Sequence, residues 1–118
     1  MSRDYLLYLE DILESCGKIE RYTEQLSFDQ FLEDRKTYDA VVLNLEIIGE
    51  AAKNVPEDVR LRYPDIEWRK IAGLRDVIAH EYFGIDDEIL WDIIQNKIRS
   101  LQREVKRVVE TQNKVKSE

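Results

Sequence analysis

The chain has 118 residues, enough for one domain with a modest core. Charged residues make up 36% and hydrophobic ones 43%, the balance of helices with one wet and one dry face, while four glycines and two prolines leave little room for the turns of an all-β domain. A net charge of −7 excludes a general nucleic-acid coat, which would be basic.

That charge is unevenly placed. From Met1 to Asp34 nine acids face three bases, whereas Lys97 to Glu118 carries seven bases and three acids. Any contact with RNA is therefore expected to be local, and the acidic half suits a basic protein partner. Cys16 stands alone, so no internal disulfide can form; it falls on an apolar helical stripe, as core packing in a reducing compartment would place it. No apolar run approaches the roughly 18 residues of a membrane span, and no basic region precedes an apolar one at the start. A cytoplasmic protein without a membrane segment is expected.

In chain order, the first helix is predicted from about Arg3 to Leu26. Tyr5, Leu9, Ile12, Cys16, Ile19 and Leu26 form its dry stripe, which Leu6 and Leu13 widen. Gly17 interrupts it at a cost of about 1 kcal/mol relative to alanine and allows a slight bend. Ser27-Phe28-Asp29-Gln30 has the S-x-x-Q form of a capping box and opens a short helix through Phe31 and Leu32. A third segment spans Thr37 to Asn54, with Val41, Leu45, Ile48, Ala52 and Val55 on one face. Gly49, Ala51 and Ala52 crowd small residues there, as a close helix crossing would require.

Pro56 begins a helical turn through Val59 and Leu61, which Tyr63-Pro64-Asp65 stops. Asp65 is predicted to cap the next helix, Trp68 onward. Gly84-Ile85-Asp86 closes that stretch, and Asp86-Asp87-Glu88 opens the last helix with acids at its positive end. Leu90, Ile94, Ile98, Leu101, Val105 and Val108 follow 4,4,3,4,3 spacing, and beyond about Thr111 the pattern stops, so the tail should fray. The expected fold is all-α: a single domain over residues 1–118, its core at about 3–110, built as an antiparallel bundle of four main helices with short helical connectors.

Chemistry concentrates in Trp68 to Gly84, which holds the only histidine. Read as a helix, Ile71, Leu74 and Ile78 share a dry face that Arg75 and Tyr82 flank, while His80 points away. A helix bringing Arg75 and His80 onto one target must end near Ala79 or meet a second copy of itself, and Gly84 permits such an ending. Other sites fall away. One histidine and one cysteine cannot make a zinc site at the usual spacings, so no metal is expected. No glycine-rich phosphate loop follows a strand. The acidic pairs Asp86-Asp87 and Glu10-Asp11 lie where solvated faces or N-caps put them. Spacing alone also fits a plainer alternative for the set: a surface arginine, a partly exposed histidine and a tyrosine packed at a helix end.

Arg75-x4-His80-x-Tyr82 resembles the R-x4-H-x-Y motif of HepT-like toxins in the HEPN superfamily of helical ribonucleases. Asn44-Leu45-Glu46-Ile47-Ile48-Gly49-Glu50-Ala51-Ala52, Tyr63-Pro64 and Trp68-Arg69-Lys70-Ile71-Ala72-Gly73-Leu74-Arg75-Asp76 resemble the same family, over about residues 3 to 110. The resemblance implies a metal-independent endoribonuclease without a cofactor. It also implies a homodimer, with tRNA among the RNA substrates, silenced by a nucleotidyltransferase antitoxin that attaches AMP to the motif tyrosine. Carried over, Arg75 and His80 are the catalytic pair and Tyr82 the AMPylation site. Asn44 and Asp76 are candidates for supporting roles, although simple packing or a cap to a neighbouring backbone explains Asn44 better than a role in orienting the site.

The chemistry agrees. RNA carries its own nucleophile in the 2′-OH, so a protein needs only to move protons and stabilise phosphorane-like charge. Histidine, with a reference pKa of about 6.5, can do the first, and an arginine fork suits phosphate oxygens. A single histidine cannot readily act on both sides of one phosphate; a dimer would supply the second. Two readings from other classes stand beside this one: a non-catalytic module binding a nucleotide or a partner, and a purely structural helical adaptor.

Overall fold

The computed structural model describes residues 4–74 and 86–117, and these are helices and short connections without a strand. In order they are α1 (Tyr5–Thr23), α2 (Phe28–Glu33), α3 (Arg35–Asn54), α4 (Glu57–Arg62), α5 (Trp68–Ala72), α6 (Asp87–Asp92), a π-helical segment (Ile93–Lys97) and α7 (Ile98–Ser117). The all-α expectation holds. No helix among the described residues is long and apolar enough to cross a membrane.

Helices α1, α2, α3 and α6 begin where side chains satisfy their first free N–H groups, whereas α4, behind Pro56, has no side-chain cap. Asp4 accepts from Leu6 N at 3.0 Å. Ser27 and Gln30 form the full reciprocal box: Gln30 N donates to Ser27 Oγ at 3.2 Å and Ser27 N to Gln30 Oε1 at 2.9 Å. Asp34 ends α2 and caps α3, accepting from Thr37 N at 3.1 Å and Thr37 Oγ1 at 2.7 Å, and these bonds hold its carboxyl below the usual range. Asp86 accepts from Glu88 N and Ile89 N. The expected cap at Asp65 is not formed. Glu67 stands at that position without a side-chain cap bond, because its carboxylate instead pairs with Lys70 Nζ at 2.7 Å.

Helix α1 packs on α3 and α7 and is the centre of the core. Leu9, Ile12, Cys16 and Ile19 from α1 meet Val41, Leu45 and Ile48 from α3, and Ile98 and Val105 from α7, all essentially without exposure. Burial of that order is worth about 1.5–3 kcal/mol for each large aliphatic side chain. Cys16 is fully buried, and desolvation pushes its thiol up to about 12, so it packs as a small hydrophobe. An aromatic cluster closes one end: Phe31 lies 5.3 Å from both Tyr38 and Trp91, Phe28 5.8 Å from Trp91, and the Arg35 guanidinium 4.0 Å over the Tyr38 ring.

Two features of the last helix depart from the sequence reading. The paired fours from Leu90 to Ile94 to Ile98 would carry the dry stripe about 80° around a regular α-helix. The wide turn absorbs that drift: Ile98 N–H reaches back to Ile93 O, and all three side chains stay buried. The helix also continues past Thr111 to Ser117. The turn just beyond Thr111 is held by Gln112, whose Oε1 accepts from Tyr5 OH and whose Nε2 donates to Tyr63 OH, both at 2.7 Å. That side chain ties the start of α1 and the approach to α5 to the far end of α7.

Candidate functional site

Arg75, Asp76, His80 and Tyr82 lie outside the described residues, so the site is built from what holds its two flanks and from Asn44. The leading flank is α5. Its Trp68 is buried, with Nε1 donating to Tyr63 O at 3.0 Å and the backbone N to Ile66 O at 2.8 Å. Tyr63 is in turn held by Gln112. Sequence reasoning missed this Tyr5–Gln112–Tyr63 tie because a glutamine beyond the last apolar repeat carries no periodic signal. Gly73 caps α5 and Leu74 brings the chain to the first motif residue.

The trailing flank is Asp86 and Asp87, at the start of α6. Tyr38 OH donates to Asp87 Oδ1 at 2.7 Å, and burial, with the nearby carboxylate adding to it, pushes the phenol up to about 12. Tyr38 belongs to α3, and α5 also packs on α3. The connection that carries Arg75, His80 and Tyr82 thus leaves and returns to the same helix.

Asn44 sits on that helix, six residues beyond Tyr38. It is 5% exposed. Its Nδ2 donates to Ala40 O at 2.8 Å, one turn back, while Oδ1 is buried with no hydrogen-bond partner among the described residues. The backbone contact matches one of the two explanations open at the sequence level. A buried acceptor left unsatisfied costs about 1–3 kcal/mol, so an oxygen unpaired among the described residues is not what packing of those residues alone would select. Beside the leading flank, a groove of about 200 Å³ runs between α5 and the last helix, lined by Ile71, Leu74, Ile98 and Leu101 and by charges of both signs, Lys70 and Lys97 with Glu67 and Glu104.

The chain is similar to known proteins over most of its length. The profile of the family described as Ribonuclease HepT-like matches residues 12–108. A protein of Methanocaldococcus jannaschii named as an RNase is 45% identical over 107 residues, covering 91% of this chain and 88% of its own length. One of Thermococcus cleftensis named as a ribonuclease HepT is 46% identical over 102 residues, 86% of this chain and 93% of the relative. One of Caldanaerobacter subterraneus, also named as an RNase, is 40% identical over 103 residues, 87% and 92% of the two chains. No solved structure matches the chain. A matched length spanning both anchored flanks, together with the helical fold, places the chain in the HepT-like ribonuclease family, whose members are endoribonucleases.

Proposed function

We propose that this chain is the toxin of a toxin–antitoxin pair, an endoribonuclease that works as a homodimer and is silenced when a nucleotidyltransferase antitoxin attaches AMP to Tyr82. The observation that carries the reading is the Arg75-x4-His80-x-Tyr82 spacing, set in a chain whose family membership extends over residues 12–108. In the reaction, neutral His80 of one protomer takes the proton of a ribose 2′-OH. The freed oxygen forms a bond to the adjacent phosphorus, and the bond from phosphorus to the 5′-oxygen breaks. The protonated imidazole of the partner's His80 gives that leaving oxygen its proton, so the products are a 2′,3′-cyclic phosphate and a 5′-OH end. Arg75 neutralises charge on the non-bridging oxygens through its planar fork. Asn44 and Asp76 support the pair, Asn44 through the carbonyl oxygen that has no partner among the described residues.

Arg75→Ala and His80→Ala tested one at a time should each abolish cleavage and growth inhibition while leaving the melting temperature nearly unchanged, because helical spacing in the sequence sets both off the Ile71/Leu74/Ile78 stripe. Cleavage by the unaltered protein should persist in chelator. Mixed Arg75→Ala and His80→Ala chains should regain partial activity in heterodimers. Full activity in either single variant refutes the assignment, and an active monomer in light scattering refutes the shared site.

A further inference from the structure

Helix α7 presents a basic ridge that the catalytic motif does not account for. Arg99, Arg103, Lys106 and Arg107 are exposed. None of the four forms an ion pair with another described residue. Successive arginines at i and i+4 stand about 6 Å apart along a helix axis, a separation comparable to that between phosphates along a nucleic-acid strand. Around Arg99 and Arg103 lies a shallow polar depression that Gln95, Asn96 and Gln102 also line; Asn96 Nδ2 donates to Asp92 Oδ1 at 2.6 Å, and Gln95 adds a further amide able to donate to phosphate or to a base edge. One carboxylate, Glu20, borders it. The Gln102 amide, oriented to donate, engages that carboxylate at 2.8 Å and 3.2 Å.

The position of the ridge matters as much as its charge. Ser100 lines both this depression and the groove beside Leu74, so the two adjoin. Leu74 directly precedes Arg75. The π-helical turn immediately upstream sets the rotation of α7, keeping Ile98, Leu101 and Val105 buried and the arginines outward. In a chain of net charge −7, a polyanion is repelled by most of the surface and attracted by a stretch with seven bases to three acids.

We propose that this face of α7 is a docking track for single-stranded RNA, with Arg99, Arg103 and Lys106 holding phosphates of the strand whose scissile bond lies at the motif. The proposal rests on the ribonuclease reading, but its test separates the two. RNA affinity is measured by fluorescence anisotropy with a labelled single-stranded oligoribonucleotide of about 20 nucleotides, over a series of salt concentrations, alongside cleavage kinetics. Three proteins are compared: wild type, Arg99→Gln/Arg103→Gln, and the charge-matched control Lys36→Gln/Lys53→Gln on α3.

The α7 double variant should bind at least tenfold more weakly and show a raised KM with kcat largely retained. Its plot of log affinity against log salt should be shallower by about 1.4, at roughly 0.7 for each phosphate of a single strand that is no longer neutralised. The control should keep the wild-type slope. Equal losses in both double variants, or an unchanged slope in the first, overturn the track and leave the ribonuclease reading standing. Wild type that binds RNA with an Arg99/Arg103-dependent slope but never cleaves it upholds the track and overturns the ribonuclease reading. RNA affinity unaltered while an acidic protein partner no longer binds would make the ridge a protein interface and sink the proposal.

Discussion

Replacing Asn44 by alanine separates a role in chemistry from a role in packing. The buried Oδ1 has no partner among the described residues, so its removal relieves a desolvation cost of about 1–3 kcal/mol. Alanine adds roughly 0.5 kcal/mol of helix propensity inside α3. Against this stand the bond from Nδ2 to Ala40 O, worth about 1 kcal/mol, and the vacated space of one amide group. At about 24 cal/mol per Å³ over roughly 40 Å³, that space costs about 1 kcal/mol. Ala40 O lies in the interior of α3 and keeps its helical partner, so nothing new is orphaned. The balance runs from slightly unfavourable to about 1.5 kcal/mol more stable, using the same per-group figures. At about 4 °C per kcal/mol for a chain of this size, the melting temperature should stay level or rise by up to about 6 °C. Cleavage of a labelled RNA should nonetheless fall at least tenfold, since stability given up at one buried atom is expected where that atom works. Calorimetry and initial rates on the same preparation check both halves. A fall of about 8 °C would mean that Asn44 is an ordinary core residue, and unchanged cleavage would remove it from the site.

Gly17→Ala should stabilise the protein by about 1 kcal/mol in urea melts, because the added Cβ meets only the far end of the exposed Arg21 at 3.2 Å and Gln102 at 3.9 Å; a loss of stability would show that the α1–α7 contact cannot yield. The Tyr38 phenol, raised to about 12 by burial and Asp87, binds its proton more tightly in the folded chain, so its contribution is complete below the ordinary tyrosine value and is lost as pH rises from about 10 toward 12. The stability difference between wild type and Tyr38→Phe should accordingly shrink over that window, and a flat difference would refute the assignment. Tyr82→Phe should keep ribonuclease activity yet gain no AMP in intact-mass spectra after incubation with the antitoxin and ATP; a Phe variant still modified and silenced places the acceptor elsewhere.

The helix-level organisation was legible in the sequence because it depends on local forces. The 3,4 periodicity of Leu9, Ile12, Cys16 and Ile19, the Ser27–Gln30 box and the Asp86 cap act within one or two turns, so neighbours along the chain suffice to read them. The R-x4-H-x-Y spacing is likewise a property of adjacent residues, and family membership followed from it and from the stretches around it. Tertiary structure decided what depends on residues distant in sequence. Glu67 rather than Asp65 precedes α5 because Trp68 bonds back to Tyr63, and Tyr63 is itself held by Gln112 from 49 residues away. The paired fours at Leu90, Ile94 and Ile98 became a π-helical turn because three side chains had to face one core. The last helix persists past its apolar repeat because Gln112 finds Tyr5 and Tyr63, 107 and 49 residues away, and a polar side chain gives no periodic sign of such partners. Asn44 shows the same division: its place on α3 could be read locally, whereas the burial of Oδ1 without a partner among the described residues arises only when other helices close over it and exclude water.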